Sequence, residues 1–291
     1  MRISDLLKTP GVKLSVEVFP PKAGADYAKV QSAIDELCAL KPAFLSVTYG
    51  AGGTTAANTA RIASYVQRER GVTSLAHLTC VGASREHIRT QLQELREGGV
   101  QNILALRGDI PDGARFPFAG GFRYASDLVT FIKEEPGFCI GCACYPEGHV
   151  ESANREDDID HLKIKVDAGA EFLTTQMFFD NNILYNFLYR LREKGVVVPV
   201  IPGIMPVTNA KQIQRICALS GTVLPRRFKA IVERFGGSPA AMAQAGIAYA
   251  TEQIIDLIAN GINAIHLYSM NRPEVARSIL NNLSEIIGDK L

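Results

Sequence analysis

Short apolar runs alternate with longer amphipathic segments along nearly the whole chain, and this alternation constrains the fold more than any other feature. The runs are "KLSVEVFP", "FLSVTYG", "SLAHLTC", "NILALRGD", "CIGCACYPE", "FLTTQMFFD", "VPVIPGIMP" and "NAIHLYSMN". Strands that are apolar on both faces and separated by helices are typical of a parallel sheet covered by helices. The pattern therefore predicts an α/β protein.

The segments between the runs carry the periodicity of helices. In "REHIRTQLQELREGG", Ile88, Leu92 and Leu95 recur at the spacing of one helical face, and the pair Gly98–Gly99 is typical of a helix end. The segment "EDDIDHLKIKVDAGA" repeats the pattern. Each apolar run is thus followed by a helix that can cover one face of the sheet.

Eight strand–helix units in 291 residues predict a (β/α)8 TIM barrel, forming a single catalytic domain over residues 1–291. The alternative is an open doubly wound sheet, but no G-x-G-x-x-G follows the first strand. The stretch "LPRRFKAIVERFGGSP" predicts an extra helix before the last large helix and the last strand.

Charge and hydropathy exclude several classes of protein. The formal net charge is +1, so no global field would attract nucleic acid or an anionic membrane surface. The sequence has no run of about 18 apolar residues, so it predicts no transmembrane helix. The beginning of the chain, "MRISDLLKTPG", lacks the apolar core of a signal peptide. We therefore expect a cytoplasmic protein.

Cysteines cluster in "CIGCACYPEGH", where Cys139, Cys142 and Cys144 precede His149. The C-x-x-C spacing has no second pair, which a zinc site of this kind would need. On a strand Cys139 would point away from the other two thiols. The pattern favours small buried core residues, and we predict no metal site.

Polar and aromatic groups collect at the carboxyl ends of the predicted strands. They are Glu17, Thr48, His77, Arg107, Asp109, Tyr145, Gln176, Tyr268 and Arg272, with Gly108 between Arg107 and Asp109. The active site of a TIM barrel lies at this end of the strands. A carboxylate within an apolar strand needs a partner or a chemical role, so Glu17 is the first candidate for an acid or base.

The ends of the strands resemble those of the methylenetetrahydrofolate reductase family, in the bacterial form that has the catalytic barrel alone. The matching pieces run in family order: "EVFPPK", "SVTYGAGG", "HLTC", "LALRGD", "YASDLV", "YPEGH", "KVDAGA", "TTQMFFD", "IPGIMP" and "YSMNR". The resemblance implies reduction of 5,10-methylenetetrahydrofolate to 5-methyltetrahydrofolate in one-carbon metabolism. Hydride would pass from NAD(P)H to FAD and then to the folate by a ping-pong route.

The resemblance also assigns roles to residues. Glu17 would protonate N10 of the folate and open its ring to a reactive iminium at N5, while Asp109 would lie near the flavin ring and the pterin. Contacts to FAD are implied for Thr48, His77, Arg107, Gly108, Asp109, Tyr124, Ala125, Tyr145, Asp158 and Lys165. Contacts to folate are implied for Glu17, Gln176, Ile216, Tyr268 and Arg272. For Arg272, a surface ion pair near a helix start is the alternative.

Several properties stay open at this stage. The resemblance implies a homo-oligomer and no regulatory domain, but the sequence does not distinguish NADH from NADPH. A flavin-bearing subunit that receives electrons from a partner protein is the main alternative; a proline dehydrogenase-like flavoenzyme and a folate-binding protein without activity are weaker ones. The Gly-rich segment "PDGARFPFAGGFRYASD" is a candidate lid over the site.

Overall fold

A computed structural model describes residues 1–21, 27–49, 56–110, 116 and 121–288. Its strands form one parallel sheet in the order β7-β6-β5-β4-β3-β2-β1-β9-β8. The strands are β1 (Lys13–Val18), β2 (Leu45–Val47), β3 (Ser74–Thr79), β4 (Asn102–Leu106), β5 (Cys139–Cys144), β6 (Phe172–Thr175), β7 (Val200–Ile201), β8 (Gly203–Ile204) and β9 (Ala264–Leu267). Each strand that the apolar runs predict is present.

Helices separate the strands and surround them. They are α1 (Ile3–Leu6), α2 (Tyr27–Ala39), α3 (Ala56–Arg68), α4 (Arg85–Glu97), α5 (Ala125–Lys133), α6 (Arg155–Asp167), α7 (Asn181–Glu193), α8 (Ala210–Ser220), α9 (Arg226–Phe235), α10 (Pro239–Ala259), α11 (Pro273–Asn282) and α12 (Ser284–Ile287). Ser84 caps the start of α4 by accepting a hydrogen bond from the backbone N–H of His87. The predicted extra helix is α9, which precedes α10 and the last strand.

One chain segment closes the barrel by pairing in two directions. Strand β7 pairs with β6, whereas β8 pairs with β9, and Pro202 separates the two short strands. Proline has no N–H to donate, and its carbonyl oxygen accepts from the backbone N–H of His266 at 2.8 Å. The segment "VPVIPGIMP" is therefore the seventh unit of an eight-unit barrel, which confirms the predicted TIM-barrel fold.

Alternating side chains divide the core into layers. The outer faces of the strands pack against the helices in the main apolar cluster, which includes Cys142 and Cys144. The inner faces at the amino-terminal end form a second cluster, which includes Cys139 and Phe172 and is closed from below by Ile3 of α1. The predicted opposition of Cys139 to the other two thiols is confirmed, because side chains alternate along a strand.

The inner layer at the amino-terminal end of the barrel is thus mainly apolar, although it includes the buried amide of Asn102. In the described part of the chain, no group of three or more His, Cys, Asp or Glu residues could hold a metal ion. None of the described helices is long and apolar enough to span a membrane. Most of the candidate lid, residues 111–115 and 117–120, lies outside the described residues.

Candidate active site

Glu17 lies on the inner face of β1, near the carboxyl end of the barrel. It is opposite Ser46 of β2 in the parallel ladder, and it shares its face with Ser15, two residues earlier. Only 5% of Glu17 is exposed. A carboxylate with so little contact with water depends on the groups around it.

Two histidines flank this carboxylate inside the barrel. Glu17 Oε2 lies 3.7 Å from His77 Nε2 and 3.8 Å from His266 Nε2. Each imidazole is oriented by a serine from the neighbouring strand: Ser46 Oγ lies 2.6 Å from His77 Nε2, and Ser15 Oγ lies 2.8 Å from His266 Nδ1. The three titratable groups therefore form one buried cluster with defined orientation.

Burial keeps His77 neutral despite the nearby carboxylate. The loss of solvation lowers the pKa of His77 to about 4, and the attraction of Glu17, which acts in the opposite direction, is smaller. The contact between Glu17 and His77 is therefore not an ion pair at neutral pH. A neutral imidazole at this distance can take part in a hydrogen-bonded proton network without holding the carboxylate as a fixed counter-ion.

His266 and the two serines escaped the sequence analysis. A signal was available for the histidine, because Tyr268 was placed at the mouth, and a residue two positions earlier on the same strand must face the same way. The serines carried no comparable signal, since their partners lie on neighbouring strands. The resemblance assigns His77 to FAD; the structure places it against Glu17.

Tyr268 lies beside this cluster and is fixed at its hydroxyl. The hydroxyl donates to the carbonyl oxygen of Thr175 at 2.6 Å, and the ring meets His266 edge-on with centroids 5.2 Å apart. Burial raises the pKa of Tyr268 far above its ordinary value, and the charge of Glu17 adds to the rise. The phenol is therefore a neutral, rigid wall of the site.

Gln176 follows β6 and is half-buried at the mouth. Its side-chain oxygen accepts from the backbone N–H of Met177 at 2.9 Å, and its amide nitrogen has no hydrogen-bond partner among the described residues. Phe178, two positions later, does not share a face with Gln176, because it is buried in the main apolar cluster. The alternation ends because β6 stops at Thr175.

Two further residues assigned to folate lie on neighbouring elements. Arg272, at the start of α11, donates to Thr208 Oγ1 at 2.6 Å and to Glu274 Oε1 at 2.8 Å. The structure thus contains the ion pair that was the alternative for Arg272, on a side chain that is 42% exposed. Ile216, on α8, is half-buried against a small apolar cluster that Tyr268 also contacts.

The loop after β4 carries Arg107, Gly108 and Asp109. Arg107 makes a bidentate ion pair with Glu151, with 2.7 Å between Nη2 and Oε1, and this pairing raises the pKa of the guanidinium. Gly108 has a φ of +87°, and a Cβ there would approach Val81 Cγ1 to 2.7 Å. Glycine is required at this turn on conformational and steric grounds.

Asp109 is exposed and lies close to Tyr145 at the end of β5. Burial raises the pKa of Tyr145 to about 12, and the charge of Asp109 is the second cause. The Tyr145 ring meets His149 edge-on, with centroids 4.6 Å apart. Across the mouth, the backbone N–H of Thr48 donates to the carbonyl oxygen of Val18 at 3.0 Å.

The start of α5 presents Tyr124 and Ala125 to the same end of the barrel. Asp127 caps this helix by accepting from the backbone N–H groups of Arg123 and Tyr124 at 2.9 and 3.0 Å. Tyr124 is 48% exposed, whereas Ala125 is buried. The tyrosine ring is therefore available as a flat apolar surface beside the loop that follows β4.

Asp158 and Lys165, two turns apart on α6, face the carboxyl end of β5. Asp158 is 6% exposed; its Oδ1 accepts from Ser152 Oγ at 3.0 Å, and its buried Oδ2 has no hydrogen-bond partner among the described residues. Lys165 Nζ donates to the carbonyl oxygen of Ala143 at 3.2 Å. The charges of both residues act on the buried thiol of Cys144, so the two side chains lie near the same strand end.

This set of groups fits the cofactor that the resemblance implies. FAD presents ribose hydroxyls, a diphosphate and a flat ring. The orphaned oxygen of Asp158 matches a hydroxyl donor, and the ammonium group of Lys165 matches a phosphate. At Gly108 the space that a Cβ would need is already filled by its neighbours, so no side chain could project there. The fit concerns chemistry and placement on the fold.

The fold and the site together define the class of protein: a (β/α)8 barrel with a buried carboxylate between two histidines and nucleotide-compatible groups at its carboxyl-terminal mouth. A sequence model of the methylenetetrahydrofolate reductase family matches residues 2–284. The chain therefore belongs to the methylenetetrahydrofolate reductase family.

Individual relatives are consistent with that placement. The chain is 36% identical to methylenetetrahydrofolate reductase (NADH) 1 of Arabidopsis thaliana, over 100% of this chain and 51% of the plant protein. It is 35% identical to 5,10-methylenetetrahydrofolate reductase of Pectobacterium carotovorum subsp. carotovorum, over 94% and 90%. The chain thus spans about half the length of the plant relative and most of the bacterial one.

A solved structure supports the fold. It is described as an uncharacterized protein from Clostridium thermocellum that binds two copies of 5-methyl-5,6,7,8-tetrahydrofolic acid. The TM-score is 0.66 over 98% of both chains, at 15% sequence identity. At that identity the likeness concerns the barrel alone.

Proposed function

We propose that this chain reduces 5,10-methylenetetrahydrofolate to 5-methyltetrahydrofolate, with NAD(P)H as the source of hydride and FAD as the bound cofactor. The observation that carries the proposal is the position of Glu17: a buried carboxyl group at the carboxyl end of β1, flanked by two oriented imidazoles. The reaction consumes one hydride and one proton for each folate. An acid at the mouth of the barrel is what the proton requires.

Glu17 is the proposed proton donor to N10 of the folate. Protonation at N10 breaks the bond from N10 to the methylene carbon and leaves an iminium at N5, which accepts hydride far better than the closed ring. Because Glu17 is buried, bulk water is a poor competing proton source at this position. His77, neutral beside it, does not compensate the carboxylate as a cation would.

The walls of the site suit a folate. The free amide nitrogen of Gln176 can donate to the pterin edge, while its oxygen stays engaged with Met177. Tyr268 and Ile216 offer apolar surface, and Arg272 offers a guanidinium for a tail carboxylate. Arg272 would exchange Glu274 for the substrate carboxylate, since that ion pair is exposed and of low strength.

When bound, FAD would supply reversible hydride transfer between the two substrates. Asp158 would accept from its ribose, Lys165 would neutralise its diphosphate, and Tyr124, Ala125 and Thr48 would border it. The backbone after β4, held by the pair of Arg107 with Glu151, would present Gly108 and Asp109 to the ring. The negative charge of Asp109 would disfavour an anionic ring.

The test is an anaerobic absorption experiment on the purified protein. Visible flavin absorbance that NADH or NADPH bleaches, and that methylenetetrahydrofolate restores, supports the proposal. Absorbance that only dithionite bleaches would instead favour electron delivery by a partner protein. A protein that binds no flavin on reconstitution refutes the proposed cofactor.

Glu17→Gln separates the acid from the rest of the site. Because the amide keeps the size of the side chain and cannot supply the proton, we expect bleaching by the nicotinamide at the wild-type rate. Reoxidation by methylenetetrahydrofolate should slow by about 10²- to 10⁴-fold, the usual contribution of a general acid. Equal reoxidation rates in the variant and the wild type, measured by stopped flow, would remove Glu17 from the mechanism.

A further inference from the structure

We infer that Asn271 is a positioning residue for Glu17; this inference rests on the proposed function. Its side-chain amide makes two hydrogen bonds to the backbone of Phe19, which is 252 positions away in the sequence. The backbone N–H of Phe19 donates to Asn271 Oδ1 at 2.8 Å, and Asn271 Nδ2 donates to the carbonyl oxygen of Phe19 at 2.9 Å. Phe19 follows Glu17 by two positions.

Ser269 adds a third connection to the same stretch. Its hydroxyl, on a residue that is 2% exposed, donates to the carbonyl oxygen of Glu17 at 2.8 Å. The parallel ladder between β1 and β9 ends at the pair Val16 and Leu267. Beyond that point, side chains from residues 269 and 271 replace the missing backbone pairing on this side of Glu17.

The backbone of this segment adopts a conformation that side chains rarely allow. Met270 and Asn271 have φ values of +53° and +56°, in the left-handed region. Asparagine tolerates that region better than most residues, but two consecutive positions without glycine are unusual. Such strain persists only where the surrounding contacts determine it. Here the contacts are those of Asn271 with Phe19 and of Ser269 with Glu17.

The same segment carries residues that we assign to the folate. Tyr268 precedes Ser269, and Arg272 follows Asn271 directly. Hydrogen bonds from residues 269 and 271 therefore connect the folate-binding end of β9 to the backbone that holds the proposed acid. Asn271 therefore has two roles. It orients the carboxyl group of Glu17 through the backbone of Phe19, and it fixes the position of that group relative to Tyr268 and Arg272.

Asn271→Gly removes the amide with little backbone strain, since glycine has no Cβ and readily adopts a positive φ. Asn271→Asp retains the acceptor for the N–H of Phe19 but cannot donate to its carbonyl oxygen. Met270→Gly is the matched control: it frees the neighbouring left-handed residue and leaves all three hydrogen bonds in place.

Rates of the two half-reactions provide the readout. For Asn271→Gly we expect nicotinamide-driven bleaching at the wild-type rate and folate-driven reoxidation slowed by about 10- to 100-fold, because small displacements of a reacting group cost that much. The half-saturating folate concentration should stay unchanged. Asn271→Asp should also be slow, and Met270→Gly should match the wild type in both half-reactions.

Distinct results would overturn the inference. If Asn271→Gly reoxidises at the wild-type rate, the amide does not position Glu17. If only the half-saturating folate concentration rises, the residue supports substrate binding alone. If bleaching and reoxidation fall together with the melting temperature, its role is structural. A wild-type protein that folate does not reoxidise would instead refute the proposed function.

Discussion

At the scale of residues, the site is defined by how serines and histidines share hydrogen bonds around one carboxylate. Ser15 and Ser46 each bond to an imidazole nitrogen, and such bonds determine the orientation and tautomer of the ring. Glu17 therefore meets two imidazoles whose orientation is set by strands β1 and β2. Local substitutions at the serines should act on the carboxylate through those rings.

His77 should make folding stability depend on pH. Its pKa falls from the ordinary value of 6.5 to about 4 on folding, so between these values the unfolded chain binds the extra proton. Stability that is present above pH 6.5 is then lost as the pH falls toward 4, at up to about 1.4 kcal/mol per pH unit. Urea unfolding at pH 5 and pH 7 measures this loss.

His77→Gln should reduce that dependence, because the imidazole at position 77 no longer takes up a proton on unfolding. The exposed His87, replaced by Gln, is the matched control and should keep the wild-type slope. An unchanged slope in His77→Gln would show that His77 does not change its protonation on folding within this range.

At the scale of elements, the short helix α1 closes the amino-terminal end of the barrel. Ile3 is fully buried in the apolar layer with Phe172, and its backbone N–H donates to Asn102 Oδ1 at 2.8 Å. Arg2 and Ser4 both contact the carboxylate of Glu171. Four residues of helix would not persist alone in water, so tertiary contacts hold α1 in place.

Ile3→Ala should destabilise the fold by about 2–5 kcal/mol, since it leaves a cavity beneath the barrel. Both half-reactions should survive at temperatures where the variant is folded, because α1 is at the end opposite Glu17. Chemical denaturation measures the loss. Lys8→Ala is the control, as it removes only an exposed ion pair with Asp5, and should change stability by less than about 1 kcal/mol. A similar loss in both variants would contradict this role for α1.

At the scale of the whole molecule, closure of the barrel depends on Gly203. Its N–H donates to Thr175 Oγ1 at 2.9 Å, so it joins β8 to the end of β6. A Cβ at this position would approach the ring of Tyr268 to 2.5 Å and the carbonyl oxygen of Thr175 to 2.6 Å. The backbones meet here closely enough that only glycine fits.

Gly203→Ala should therefore lower stability by about 1–3 kcal/mol through overpacking, and it should displace Tyr268 from Thr175. Thermal unfolding measures the first effect and folate-driven reoxidation the second. Gly237→Ala is the control, because its Cβ would meet no atom within 4 Å. Wild-type stability in Gly203→Ala would show that the seam between β6 and β8 tolerates a side chain.

The order of strands and helices could be predicted from the sequence, because it rests on neighbours along the chain. Apolar runs and helical periodicity are local patterns, and they identified the extra helix α9 and placed Glu17 on the first strand, toward its carboxyl end. They also placed Gln176 near the mouth, although the alternation of side chains stops before Phe178, since β6 ends at Thr175.

The cluster of Glu17, His77 and His266 was decided by tertiary structure. Ser15 and His266 are 251 positions apart, and Asn271 and Phe19 are 252 apart, so no local pattern connects them. Only the register of β1 against β9, and the closure of the barrel at Pro202, bring these groups together. By itself the sequence determined the elements and their polar ends; the partners of Glu17 depend on strand register, which long-range pairing sets.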